Sequence, residues 1–180
     1  MRKLMLALVC LAIPFAFWSC EDAEEVIGAA KEELIGAIDI KIEDESHDIP
    51  NAFFTELSGV TTIAGTNIKE SVAVAFKGSS EKTYTLGLGK DALSAAANIM
   101  NIGSMENTLV YIPSSGVKDD GITAVCGTLK ITKYTDTKVE GEFSGYGVKT
   151  SIISSGNIDW SNLQSNLKQI SGTFTAVGKK

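Results

Sequence analysis

The chain has 180 residues, a formal charge of −6, one histidine and three cysteines, which leaves little material for the common metal and nucleophile sites. No patch of Lys and Arg is present to release counterions from phosphates, so the acidic balance argues against a nucleic-acid-binding role. The length suits one domain with its own core, and the plentiful Gly, Ser and Thr point to short strands and turns.

Met1-Arg2-Lys3 is cationic, Leu4 to Trp18 is apolar, and Ser19-Cys20 is followed by Glu21-Asp22-Ala23-Glu24-Glu25. A cationic start and so short an apolar run make an export signal, since spanning a bilayer core of ~30 Å takes a longer helix. An ordinary cleaved signal would need a small residue three before the cut, where Phe17 or Trp18 falls. An uncleaved anchor is disfavoured by length. The segment resembles bacterial lipoprotein signals, in which a small residue precedes the cysteine that receives the lipid. That resemblance implies Cys20 as the acylated N-terminus and a membrane as first partner, each buried methylene contributing ~0.8 kcal/mol. Removal of Arg2 and Lys3 leaves a charge of −8.

The carboxylates of Glu21, Asp22, Glu24 and Glu25 make a solvated spacer that repels itself and extends. They also resemble the acidic export signal of Bacteroidetes outer-membrane lipoproteins. This implies a lipid-anchored, surface-exposed protein of the outer membrane, with the periplasmic face as the alternative. Cys10 leaves with the signal and Cys20 takes the lipid, so Cys126 stands alone and no intramolecular disulfide forms. Three regions follow: a signal over 1–19, a lipidated acidic and helical tether over 20–50, and a single β-rich domain over 51–180.

From Asp22 to Ala37 apolar residues recur at three and four, which predicts a helix weakened by Gly28 and Gly36. Ile38 to Ile42 changes to period two, an extended half-buried segment. Strands are predicted over Thr55 to Ala64, Val72 to Phe76 and Thr83 to Leu88, the last two as a hairpin. Asp91 caps a short helix reaching Asn101. Thr108 to Ile112 is a strand, ended by Pro113 and the turn residues up to Gly121. Ile122 to Tyr134 is a long strand whose apolar phase changes face at Gly127, predicting a bulge there. Val139 to Ser144 returns as its partner. Ile170-Ser-Gly-Thr-Phe174 repeats the pattern of Val139-Glu-Gly-Glu-Phe143, and glycine beside an aromatic bends a sheet, so the pair predicts a closed or strongly curved one. Trp160, Leu163, Leu167 and Ile170 fall at helical spacing behind Asp159 or Ser161 as caps, predicting a helical turn or two across an open end.

Gly127 to Tyr134, Val139 to Phe143 and Ser171 to Phe174, with Val72 to Leu88 before them, resemble a group of small Bacteroidetes lipoproteins whose domain has no assigned function. The resemblance implies an all-β lipoprotein domain and brings no catalytic residues.

No Cys-x-x-Cys, His-Glu-x-x-His, Gly-x-Ser-x-Gly or phosphate-cradling loop is present. His47 lies in an acidic run, and one histidine makes neither a zinc site nor a triad. Glu140 and Glu142 share a strand face and read as solvated rather than as a hydrolytic pair. Asp119, Asp120 and Asp136 are turn residues without EF-hand spacing. Trp160, Tyr134 and Tyr146 are a possible ligand platform, weighed against core packing.

The fold predicted is mainly β, an antiparallel sandwich or flattened barrel of about 7–9 strands with two or three short helices. The function expected is that of a membrane-anchored lipoprotein without enzymatic activity, cofactor or metal, binding a glycan or a partner protein. A lipocalin-like carrier of a small apolar ligand is the alternative, and a hydrolase with an unrecognised carboxylate pair comes third.

Overall fold

Ile38, Ile40 and Ile42 alternate with Asp39 and Lys41, and Ala37–Ile42 accordingly forms strand β1 with its isoleucines buried. The computed structural model describes residues 35–114, 121–155 and 158–178. All fall within one compact unit, Glu33–Lys180. Most of the helix predicted from Asp22, and the turn residues 115–120, lie outside the described residues, while Ala37 opens β1.

Strand β2 (Glu45–Pro50) folds back on β1. The domain therefore starts earlier than residue 51: Ile38, Ile40 and Ile49, placed by sequence in the tether, are fully buried. Next come β3 (Phe53–Leu57) and β4 (Val60–Thr66), which replace the single strand predicted over Thr55 to Ala64. Ser58 and Gly59 have φ of 54° and 80°, both positive as a two-residue hairpin turn matched to strand twist requires.

Strand β5 (Glu70–Lys77) pairs with β4 and with β7 (Thr108–Pro113), whereas β6 (Thr83–Gly87) pairs with β8 (Ile122–Tyr134). The predicted β5–β6 hairpin is thus not formed, because Asn107 stands at the fork between them. Its Oδ1 accepts from the Lys77 amide at 2.9 Å, its Nδ2 donates to the Thr85 carbonyl at 2.7 Å, and its own carbonyl accepts from the Gly87 amide at 2.9 Å. Helix α1 (Ala92–Ala97) and a 3-10 segment (Ile99–Ser104) connect β6 to β7, with Asp91 capping the Ser94 amide at 2.8 Å as predicted.

Strand β9 (Lys138–Lys149) is the long partner of β8, followed by α2 (Thr150–Ser154), α3 (Trp160–Ser165) and β10 (Lys168–Gly178). Asp159 caps α3 through the Asn162 amide at 2.7 Å. Ile170 belongs to β10 rather than to the helix.

Strands β10, β3, β4, β5, β7, β8 and β9 hydrogen-bond in that order, and β9 returns to β10, closing a seven-stranded barrel. The β1–β2 hairpin joins β10, and β6 joins β8, outside that ring. Every pairing is antiparallel except β10 with β3, which meet in parallel over Val177↔Phe53 and Gly178↔Phe54.

The barrel interior is one cluster of inward side chains that includes Phe54, Phe76, Tyr84, Leu129, Phe143, Ile170 and Phe174. Full burial of each is worth ~1.5–3 kcal/mol relative to exposure. A smaller core lies on the outer face of the β8–β9 wall, where α1 and α3 bring Ala95 and Leu163 against Val125, Cys126 and Val148. The helices therefore cover a flank and not an open end. The face change in β8 comes from a register shift between Ala124 and Cys126, slightly before Gly127, whose φ is 146°. Ala124 stays in the barrel core while Cys126 turns to the helices, fully buried. Burial raises the Cys126 thiol's pKa, against a lowering hydrogen bond with the Tyr146 backbone.

Candidate functional site

Three polar side chains occupy inward positions at one end of the barrel. His47 is opposite Ile40 on β2, Glu70 begins β5 in phase with Val72 and Val74, and Tyr111 follows Leu109 on β7. Glu70 Oε1 accepts from His47 Nδ1 at 2.7 Å and from the Tyr111 hydroxyl at 2.9 Å. The His47 and Tyr111 rings lie 4.9 Å apart. The cluster ties β2 to β5 and β7, and Asn67 adds a second tie, with Oδ1 accepting from the Glu70 amide at 2.7 Å and Nδ2 donating to the Asp48 carbonyl at 3.2 Å.

Burial alone would push Glu70 up, but hydrogen bonds from Tyr111 and His47, and the charge of His47, outweigh it and hold the carboxyl below its ordinary value. Tyr111 is shifted upward, by burial first and then by donating to Glu70 and by the charges of Glu70 and Glu45. A carboxylate on Nδ1 fixes the proton there, so the neutral imidazole presents Nε2 as an acceptor and the protonated one presents a donor. Beside this cluster a recess of about 260 Å³ is lined by Ile42, Glu45, Tyr111, Ile122, Lys149 and Lys168, among others. Sequence reasoning left Glu70 and Tyr111 unassigned; the available signal was an ionisable residue on the apolar phase of each strand.

A second feature is the outer face of β6, β8, β9, β10, β1 and β2. The register aligns Thr85, Thr128, Ser144, Ser171, Lys41 and Ser46 in one row across six strands. A parallel row holds Thr83, Lys130, Glu142, Thr173, Asp39 and Asp48. A groove of about 530 Å³ runs between Thr83 and Thr173, and an adjoining one of about 260 Å³ reaches Asp48. Both are lined by Ser171, Gly172 and Thr173.

Glu140 and Glu142 share this face, as expected from their spacing. Lys130 Nζ donates to Glu142 at 2.8 Å and Lys138 Nζ lies 2.7 Å from Glu140, which that hydrogen bond holds below its ordinary value. Both carboxylates are thus paired with lysines on this face.

The residues proposed as an aromatic platform lie apart. Tyr134 packs against the barrel core, with its hydroxyl 2.7 Å from Thr61 Oγ1 and its ring 6.0 Å from Phe54. Tyr146 is on the outer face of β9, seven residues along the strand from the partner of Tyr134, or ~23 Å. Trp160 packs on the smaller core. Cys20, Glu21, Asp22, Glu24, Glu25, Asp119 and Asp120 lie outside the described residues. Among the described residues no three of His, Cys, Asp and Glu converge as metal ligands. Comparison with protein-family models, with curated proteins and with solved structures finds no match.

Proposed function

We propose that the chain is a lipid-anchored envelope protein whose barrel is a scaffold for surface binding, with the outer face of β6, β8, β9, β10, β1 and β2 as the contact surface for a glycan or a partner protein. The observation that carries this reading is the pair of hydroxyl and charged rows over a groove of about 530 Å³. Side chains spaced at the strand repeat of ~4.8 Å offer donors and acceptors to an extended polar ligand. Anchoring rests on the resemblance of the segment ending at Cys20 to lipoprotein signals.

The closed barrel also suits carriage of a small apolar ligand, but Phe54, Phe76, Phe143 and Phe174 occupy the interior, which favours the surface. Titration calorimetry of the detergent-extracted protein against xylan, pectin and laminarin tests the binding face. Binding of one polymer that Thr128→Glu and Ser171→Glu abolish without lowering the melting temperature is expected; binding that survives both substitutions removes the face from consideration. Intact mass of the membrane fraction tests the anchor: a lipid-sized addition, lost with membrane retention in Cys20→Ala, is the expected result.

A further inference from the structure

The recess at the His47 end of the barrel is separate from the outer groove apart from His47, which also lines that groove's edge. Its walls combine apolar and cationic groups with one carboxylate, Glu45. Ile42, Ile122 and Pro113 with the Tyr111 ring are apolar, while His47, Lys149 and Lys168 carry or acquire positive charge. Nδ1 of His47 is engaged by Glu70, and Nε2 makes no hydrogen bond among the described residues. None of their buried side-chain nitrogens or oxygens lacks a partner, so Nε2 is accessible.

We propose that this recess binds a small carboxylate with an apolar body, held through its anionic group by His47 Nε2 and Lys168 and through its body by Ile42, Ile122 and the Tyr111 ring. The size suits a compact acid, since clefts that bury drug-sized molecules begin at ~300 Å³. Glu70 orients the imidazole through Nδ1, as carboxylates do for histidines that offer the other nitrogen to a ligand. Lys168 reaches Glu43 at 3.1 Å with a side chain only about one-third exposed, so an incoming carboxylate meets a cation already positioned.

The groups facing His47 are Glu45 on its own strand, Glu70 on β5, Tyr111 on β7, Lys149 on β9, and Lys168 on β10 with Glu43 beside it. Carrying both protons, the imidazole offers Nε2 as a donor to an anion.

Titration calorimetry of the full chain in non-ionic detergent at pH 6, with phenylacetate as probe and neutral phenylacetamide as control, tests this. The expected result is phenylacetate binding, no binding of the amide, and about tenfold weaker binding in His47→Gln and in Lys168→Gln. Absence of phenylacetate binding, equal binding of the amide, or unchanged affinity in His47→Gln overturns the proposal. If His47→Gln fails to fold by its thermal melt, Lys168→Gln decides, and unchanged affinity there overturns it as well.

Discussion

Phe143 lies directly opposite Gly172 across the β9–β10 ladder, and two pairs along Phe174 lies opposite Gly141. Each ring occupies the space its partner lacks: a Cβ on Gly172 would come 2.5 Å from Phe143 Cζ, and one on Gly141 2.6 Å from Phe174 Cζ. The repeated motif is therefore one reciprocal device in which each strand supplies the gap for the other's aromatic. Gly172→Ala is expected to destabilise by ~1–3 kcal/mol or more in urea denaturation. Phe143→Leu in that background should restore only part, because the added methyl also meets the Asp39 carbonyl oxygen. Wild-type stability in Gly172→Ala would dissociate the glycine from the ring.

The polar cluster gives folding stability a pH dependence at both ends. Glu70 is held below its ordinary value of 4.5, so its contribution is present above about that pH and fades as pH falls through the lower folded value. Tyr111 is raised above 10.0, so its contribution is present below that pH and is lost as pH rises further. Glu70→Gln should flatten the acid limb of stability against pH, and Tyr111→Phe the alkaline limb. Unchanged limbs in chemical denaturation at stepped pH would refute the assignment.

Asn107 substitutions separate the two side-chain bonds at the β5–β6 fork. Asn107→Ala removes both and should cost ~1–3 kcal/mol, since the fork leaves backbone groups without their partner. Asn107→Asp keeps the acceptor for Lys77 and loses the donor to Thr85. Hydrogen exchange at the Lys77 amide should accelerate in the alanine variant and stay protected in the aspartate variant.

At Gly59 backbone conformation can be tested without steric interference, because an added Cβ would meet nothing within 4 Å while φ is 80°. Gly59→Asn should be nearly neutral, since asparagine tolerates positive φ, and Gly59→Ala should cost ~1 kcal/mol. Equal thermal shifts for the two would contradict the turn assignment.

What was legible in the sequence followed from local chemistry. Alternation gave β1, the Asp91 and Asp159 caps gave two helices, and the repeated glycine and phenylalanine motif gave β10 and a closed sheet. What was missed depended on distant partners. The β5–β6 connection has hairpin length, yet Asn107 and β7, thirty residues on, decide the pairing. His47, Glu70 and Tyr111 are united only by topology, since their hydrogen bonds span 23 and 41 residues. Ser58-Gly59 was a readable turn between Leu57 and the β-branched run Val60 to Ile63.

The ring of seven strands is closed at β10–β3 by two residue pairs, and at β7–β8 by two more, Val110↔Thr123 and Tyr111↔Ile122. Mechanically the molecule is two curved sheets meeting at narrow seams. Each seam needs the loss of only a short ladder to part, whereas β8 and β9 are zipped over most of their length. Opening of the wall is expected to begin at those joints, since each has far fewer ladder pairs to lose than β8 with β9.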